Sequence, residues 1–347
     1  KADGSLKVNE FRLDDDSIGI VNLTSAYNSE NGKISFGIQS ENERYNFSGH
    51  GYYNLRDSTN VPLNASMHLD HTRIRLLNRF LGDLFKNIDG NATGNIRITG
   101  KANAPQLLGE AMLRDAALTV DYTKVRYNID SAYFVFKDDR IDFGKFTLKD
   151  KYGNTGSARG ILYQKGFKNM SFDFDVATSQ LLLLDTKATD NQQFFGKAIG
   201  KATLSLKGPL ENMRMSIAGQ VTDTSQISIQ TTDSKEVGAA DFIRFKTYGT
   251  EAEKPKKSDT KLSIDLDLTA NNKAEISLIL DALTGDVIKA TGNGRLNINV
   301  PATGDMTMKG RYNIERGSYN FNFQNFLRKP FILKEDAGSF VEWTGDP

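Results

Sequence analysis

The feature that most constrains this chain is a strict alternation of apolar and polar residues along many short segments. The clearest cases are Leu262-Ser-Ile-Asp-Leu-Asp-Leu268, Phe172-Asp-Phe-Asp-Val176 and Leu296-Asn-Ile-Asn-Val300. Successive side chains of an extended strand point to opposite faces, so each segment predicts a strand with one apolar and one wet face. Strands of a parallel sheet covered by helices would instead be continuously apolar. The chain is therefore predicted to be mostly β, with antiparallel strands of about seven residues.

Glycine and polar pairs recur between these segments and predict turns, for example Asn31-Gly32, Tyr152-Gly153-Asn154 and Gly292-Asn293-Gly294. Helices are predicted only as short amphipathic exceptions. Apolar residues at helical spacing favour one between Thr72 and Ile88, and shorter ones around 194–199 and 236–246. The charged stretch 249–260 has almost no apolar residues, and an exposed flexible loop is expected there.

A glycine–strand–glycine element recurs, starting at Gly94, Gly200 and Gly294. Intervals of about 100 residues built from strands are typical of a sheet that extends in one direction. The length of 347 residues by itself would suggest two or three domains. The repeat predicts instead one continuous segment of a longer chain. Its approximate units are 1–89, 90–199, 200–293 and 294–347.

Composition excludes several functions. The chain has 44 basic and 43 acidic residues, so no large basic surface for nucleic acid is expected. It has no cysteine, and therefore no thiol nucleophile, thiolate metal site or disulfide. No run approaches the roughly 18 apolar residues of a membrane-spanning helix.

No motif of a catalytic or metal site is present, so we predict neither an enzyme nor a bound cofactor or metal. The sequence has no nucleophile elbow, phosphate loop or zinc-protease helix. His68 and His71 lack a third ligand nearby, so surface histidines are the preferred interpretation. Asp14-Asp15-Asp16 lacks the ligand spacing of a calcium loop and is interpreted as a solvated turn.

Three sets of residues resemble the TamB family, the translocation and assembly module proteins of bacteria with two membranes. They are the repeated glycine–strand–glycine elements, the segment Val176-Ala-Thr-Ser-Gln-Leu-Leu-Leu-Leu-Asp185-Thr186, and the ending from Phe331 to Pro347. The ending is the most specific, and it is similar to the C-terminal domain of the Bacteroidota version.

The resemblance implies an elongated, curled β-sheet with a hydrophobic interior, sometimes called a β-taco. It implies a periplasmic protein anchored in the inner membrane by an upstream segment, with its C-terminal end at an outer-membrane assembly barrel of the TamA type. The implied function is to carry phospholipid from the inner to the outer membrane, coupled to assembly of outer-membrane proteins.

The alternating strands lead to a similar expectation, because their apolar faces suit an acyl chain. Such a chain gains about 0.8 kcal/mol per buried CH₂, so a lipid can leave a bilayer at little net cost. The predicted lining of this lipid groove is Phe172, Phe174, Val176, Leu204, Leu206, Met213, Met215, Ile217, Leu262, Ile264, Leu266, Leu268, Leu296, Ile298 and Val300.

Two alternatives stay open at this point. In one, the apolar faces pack on each other, and exposed edges recruit nascent outer-membrane strands by β-augmentation without carrying lipid. In the other, the chain is a carbohydrate-binding or adhesive solenoid. That function needs clustered carboxylates and aromatic residues on one outer face, and here they are scattered.

Overall fold

The structure is a computed structural model. It describes residues 1–13, 16–57, 61–82, 84–166, 168–191, 194–230, 246–247, 250–251, 261–281, 284–323, 327–335 and 337–345. Strands dominate these residues, so the predicted mostly-β fold is confirmed.

The chain begins with a series of long strands. They are β1 (Ala2–Leu13), β2 (Asp16–Asn28), β3 (Lys33–Asn42), β4 (Tyr45–Asn54), β5 (Leu63–Arg73), β6 (Phe85–Lys101), β7 (Ala104–Val120), β8 (Arg126–Phe136), β9 (Arg140–Lys149), β10 (Thr155–Lys165) and β11 (Lys168–Thr186). Between β5 and β6 lie a 3₁₀ turn, Arg75–Leu77, and the single-turn helix α1, Asn78–Leu81.

The remaining elements are also strands, apart from a 3₁₀ turn at Leu210–Asn212. They are β12 (Phe194–Pro209), β13 (Met213–Val221), β14 (Ser225–Gln230), β15 (Lys246–Thr247), β16 (Thr250–Glu251), β17 (Leu262–Ala270), β18 (Ala274–Asp281), β19 (Asp286–Val300), β20 (Thr307–Phe323), β21 (Leu327–Leu333) and β22 (Phe340–Gly345).

The chain divides into two compact units. The first unit comprises Lys1–Leu182 and Lys201–Ser216. In it β1 to β11 form an antiparallel meander, in which each strand pairs with the next one along the chain. Sequential strands need only short connections, which explains the frequent turn signals in this half of the sequence.

The second unit comprises Leu183–Gly200 and Ile217–Pro347. Strands β17 and β18 lie end to end along one edge of β19, and β20 lies along the other. β21 and β22 likewise share the far edge of β20. β14 is antiparallel to β12 but parallel to β18. A parallel pair requires a crossover connection, and the chain between β14 and β18 includes β17.

The recurring glycines Gly94, Gly200 and Gly294 occupy equivalent positions in β6, β12 and β19. A side chain at any of them would overlap a backbone carbonyl oxygen of the following strand, at Glu110, Gln220 and Arg311 respectively. Only glycine permits such a close approach between strands. The sequence pattern therefore has one physical cause in all three places.

Two of the predicted helices are wrong. Among the described residues of 72–88, only Arg75–Leu81 is helical. Asn78 both donates to and accepts from the backbone of Ile88, at 3.0 and 2.9 Å, and so takes the place of a strand partner. The 194–199 segment belongs to β12, because Phe194 pairs with Ile229 in β14. In both places sheet pairing outweighs a weak helical periodicity.

Strands are also longer than the predicted seven residues: β11 has 19, and β6, β7 and β20 each have 17. Gly292 and Gly294, predicted to form a turn, lie inside β19. The predicted helix over 236–246 lies outside the described residues except for Lys246, and so does the 249–260 loop apart from Thr250–Glu251 in β16.

Candidate functional site

The meander of the first unit has one apolar face along β1 to β11, which we call the first-unit apolar face. The strand register puts its members in contact, since directly paired residues share a face. For example, Met67 pairs with Ile96, and Ile98 pairs with Leu107. Its larger members are Leu6, Val8, Val21, Leu23, Tyr27, Ile34, Phe36, Ile38, Phe47, Tyr53, Leu63, Met67, Leu69, Ile96, Ile98, Leu107, Leu113, Phe134, Phe136, Ile141, Phe143, Phe146, Leu148, Leu162, Phe172, Phe174 and Val176.

The opposite face of the same strands is mainly polar. Ser66 pairs with Arg97, one residue along from the Met67–Ile96 pair. A shift of one residue in the register would exchange the two faces, so the alternation also specifies the pairing. The first unit therefore presents one apolar and one wet side to its surroundings.

Burial on the first-unit apolar face changes along the strands. At the strand ends joined by the connections near residues 43–44, 74–84, 121–125 and 150–154 the side chains are buried, as at Val21, Tyr45 and Leu113, which are 1%, 2% and 4% exposed. We call this the closed end. Toward the ends joined near 29–32, 55–62, 102–103 and 137–139, the open end, the large apolar side chains of β1 to β9 are only partly buried. Tyr27 there is 37% exposed. In β10 and β11 the face is buried at this end too, since Leu162 and Phe172 are 7% and 4% exposed.

One part of the closed end is a charged contact across strands. The 3₁₀ turn after β5 brings Arg75 Nε to 3.4 Å from Asp16 Oδ1, at the start of β2. Tyr45 is buried beside them. Its burial and the Asp16 carboxylate raise the pKa of Tyr45 to about 12, so the phenol stays neutral. The connection between β5 and β6 thus reaches over the ends of the neighbouring strands.

The other part is centred on the buried Asp150, after β9. Its carboxylate accepts hydrogen bonds from the backbone N–H groups of Leu182, Tyr152 and Asn154, at 2.7, 2.8 and 2.9 Å, and from the Asn154 side chain at 3.0 Å. Burial alone would raise the pKa of Asp150, but these hydrogen bonds outweigh it and hold the pKa below its usual value.

Leu182, which lies in β11, also receives a hydrogen bond from a side chain of β8. Tyr127 in β8 donates a 2.8 Å hydrogen bond to the carbonyl oxygen of Leu182, across β9 and β10. Strands three places apart in a flat sheet would be separated by about 14 Å, farther than a tyrosine reaches. The first unit therefore curls at its closed end, and Leu181 and Leu182, each 1% exposed, are buried there.

Aromatic rings line the apolar face over β8 to β11. Ring centroids are 4.7 Å apart for Phe134 and Phe143, 5.3 Å for Phe143 and Phe174, and 6.0 Å for Phe172 and Phe174. The Phe174 ring covers Gly160 in β10, where a methyl group would overlap the ring. The glycine therefore makes room for a continuous aromatic surface.

In the second unit the apolar residues form a buried cluster. It is built from β14, β17 to β20 and β22, and its large members include Leu278, Met308, Tyr312 and Trp343. Met308 and Tyr312 are 0% and 1% exposed.

The predicted groove residues lie in three sets of strands, and each of them is buried or partly buried. Phe172, Phe174 and Val176 lie on the first-unit apolar face. In the second unit the structure pairs Ile264 with Val300, Leu266 with Ile298, and Leu268 with Leu296, all on one face. Leu262 shares β17 with them. Leu204 and Leu206 lie in β12, and Met213, Met215 and Ile217 in β13.

The sequence-based prediction missed most of the first-unit apolar face. Phe36 and Ile38 alternate with Ser35 and Gly37, which is the same signal over a shorter run. In β4 the alternation is hidden because Gly49 and Gly51 occupy apolar-face positions. Counting glycine as compatible with an apolar face would have found these strands.

No cluster of three metal-binding side chains exists among the residues that the structure describes. His68 Nδ1 lies 2.9 Å from Asn95 Oδ1, and His71 Nδ1 lies 2.6 Å from Asp70 Oδ1. Asp14 and Asp15 lie outside the described residues. In the described part of the chain no helix is long and apolar enough to cross a bilayer.

The family described as TamB C-terminal domain matches residues 144–347, more than half of the chain. No curated protein and no solved structure matches the chain.

Proposed function

This chain belongs to the TamB family, and from that premise we propose that it conducts phospholipid between the inner and outer membranes, with acyl chains on the first-unit apolar face. Membership associates the chain with outer-membrane assembly or lipid transport, a non-enzymatic role in the periplasm or at a membrane. The observation that carries the finer proposal is an apolar face that runs through eleven strands and is partly exposed toward the open end of β1 to β9.

The energetics support this proposal. Ordinary monomers expose contiguous apolar patches of only about 300–600 Å², and larger patches mark ligand or partner sites. An acyl chain on such a face recovers about 0.8 kcal/mol per CH₂, similar to what it loses on leaving a bilayer. Movement from strand to strand then needs neither a nucleotide nor a catalytic residue, since neighbouring positions are chemically alike.

We extend the proposal to the predicted residues of the second unit and to the setting of the chain. Leu262, Leu266, Leu268 and Val300 are partly exposed and would continue an apolar lining there. On family grounds, the full-length protein would be anchored in the inner membrane and meet a TamA-type barrel at its C-terminal end. Assembly of outer-membrane proteins would be coupled to lipid delivery.

Photo-crosslinking on matched neighbours tests the lipid site. A photoreactive amino acid at Phe36 or Ile96 should capture phospholipid in cells, because both side chains lie on the apolar face. The same amino acid at Ser35 or Asn95, on the opposite face, should capture little. Equal capture at both sets would refute the proposal.

A charge on the apolar face gives a functional test. Ile96→Asp should lower phospholipid transfer between vesicles by about tenfold or more, because a desolvated carboxylate would lie in the lipid path. Arg97→Asp changes the charge one residue away on the wet face and should leave transfer within about twofold. Circular dichroism of both variants would verify that the sheet is retained.

The β-augmentation alternative finds less support at β21. Among the described strands this edge strand pairs only with β20. Pro330 lacks an N–H and Lys329 adds a charge, and both features discourage addition of another strand. Lipid-free purified protein that still captures nascent barrel strands would favour the alternative.

A further inference from the structure

We propose that the wet face of β19 to β22 docks on an anionic phospholipid bilayer, with Ile332 and Phe340 entering the lipid interface and the surrounding basic side chains on lipid phosphates. This wet face is the side of the four strands opposite the buried cluster of the second unit. The inference goes beyond the proposed function, because it concerns binding of the chain to a membrane surface and not passage of lipid along an apolar face.

The second unit separates its charges between strands. β17 and β18 carry four acidic residues and no basic residue, whereas β19 to β22 carry seven basic and three acidic residues. The chain as a whole is nearly neutral, with a formal net charge of +1. A nearly neutral protein with its positive charge gathered on a few adjacent strands attracts an anionic partner to those strands.

The register assigns most of these basic residues to the wet face. Ala290 and Tyr312 belong to the buried cluster, so the side chains that alternate with them point the other way. Glu315 is an extra residue of β20 at a register shift, and it keeps both halves of β20 in phase with β19. The exposed basic residues of the wet face are Lys289, Arg295, Lys309, Arg311 and Arg316.

Arg295 in β19 and Arg311 in β20 lie directly opposite each other. Like charges in this position destabilise a sheet. On its other side Arg295 pairs with Thr269, whereas Arg311 pairs with Glu342, so one carboxylate lies beside two guanidinium groups. Among the residues that the structure describes, neither arginine forms an ion pair. A lipid phosphate that accepts hydrogen bonds from both guanidinium groups would remove their repulsion.

Two exposed apolar side chains lie on the same wet face. Ile332 is 89% exposed, and it pairs with Ser318, which pairs in turn with Lys289. Phe340 is 46% exposed, and Arg311 Cζ lies 3.6 Å from its ring centroid. Apolar side chains among basic ones suit the bilayer interface, because the apolar groups leave water while the cations stay at the phosphates.

Vesicle binding tests the charges. The purified chain should bind vesicles of mixed phosphatidylglycerol and phosphatidylcholine at least about tenfold more tightly than pure phosphatidylcholine vesicles. Lys289→Glu/Arg295→Glu should weaken binding to the anionic vesicles at least about tenfold. Lys145→Glu/Lys149→Glu reverses two exposed charges of β9 and should stay within about twofold. An equal loss in both double variants, or no preference for anionic vesicles, would overturn the proposal.

The double variant Ile332→Ser/Phe340→Ser distinguishes a bilayer from a soluble polyanion. It should bind anionic vesicles at least about threefold more weakly, because its side chains no longer enter the lipid. Its binding to heparin, which offers sulfate groups but no apolar interior, should be unchanged. Vesicle binding equal to that of the unmodified chain would show a polyanion surface and contradict the bilayer assignment. Circular dichroism would verify that the sheet is retained.

A fluorophore at position 332 tests insertion directly. The chain has no cysteine, so Ile332→Cys provides a single labelling site. An environment-sensitive dye there should shift its emission to shorter wavelength on anionic vesicles. The same dye on Ser131→Cys, an exposed wet-face position of β8, should show no shift. Bound chain without a shift at position 332 would overturn the proposal, whereas docked chain that transfers no lipid would refute only the proposed function.

Discussion

Asp150 accepts a 2.7 Å hydrogen bond from the backbone N–H of Leu182, in the part of β11 that extends past the first residue of its neighbour β10. The Leu182 carbonyl oxygen receives the Tyr127 hydroxyl. The side chains of Asp150 and Tyr127 thus supply the hydrogen bonds that the backbone of a neighbouring strand would otherwise give to Leu182. A buried backbone group left without a partner costs about 1–3 kcal/mol, which explains why a carboxylate occupies this site.

Asp150→Asn should destabilise the first unit by about 1–3 kcal/mol. The amide retains one acceptor oxygen, but its NH₂ group would face backbone donors. The urea midpoint, followed by the fluorescence of the surrounding tyrosines, measures the effect. Asp138→Asn, in an exposed connection, is the control and should leave the midpoint unchanged.

The same carboxylate predicts acid sensitivity. Its folded-state pKa is lowered, so it stabilises the fold above its unfolded pKa of about 3.9, and that contribution is lost as the pH falls through the folded pKa. Urea midpoints measured from pH 7 to pH 3 should fall less for Asp150→Asn than for the unmodified chain. Parallel curves for the two proteins would contradict this role of Asp150.

Gly94→Ala should destabilise the first unit by about 1–3 kcal/mol, because its methyl group overlaps the Glu110 carbonyl oxygen and forces the strands apart. Gly4→Ala is the matched control. Gly4 also lies in a strand, but nothing is within 4 Å of its added methyl group, so stability should be unchanged or slightly higher. Thermal unfolding followed by circular dichroism distinguishes the two.

Trp343→Ala should destabilise the second unit by about 3–5 kcal/mol, since Trp343 is 6% exposed within the buried cluster. Ile332→Ala removes a side chain that is 89% exposed and should cost less than about 0.5 kcal/mol. Urea denaturation of both variants tests the difference. Equal midpoints would show that the cluster does not support the unit.

Much of the fold could be predicted from local pattern. The alternation at Leu262–Leu268 and Leu296–Val300 predicted two strands, and they pair with one another in the register that joins their apolar faces. The helix predicted over 72–88 failed because Asn78 pairs with the Ile88 backbone, a contact that apolar spacing does not encode. The parallel pairing of β14 with β18 was also unforeseen, because period-2 patterns do not specify which strand is the neighbour.

The lipid site was only partly predictable. Phe172 and Phe174 were named from alternation alone, and both lie on the first-unit apolar face. Their aromatic partner Phe143 was not named, because β9 has a register irregularity that breaks the alternation. The closed end was not predicted at all, since it depends on Asp16 meeting Arg75 and Asp150 meeting Leu182 across several strands.

The sequence by itself determined that this chain is a sheet with one apolar and one wet face, because side-chain direction alternates with every residue of a strand. It also marked the recurring glycines Gly94, Gly200 and Gly294, at which neighbouring strands approach too closely for a side chain. Only the tertiary structure decided which end of the first-unit apolar face is closed. That outcome depends on the curl of the sheet, which brings distant strands within reach of single side chains such as Tyr127, and no local pattern specifies it.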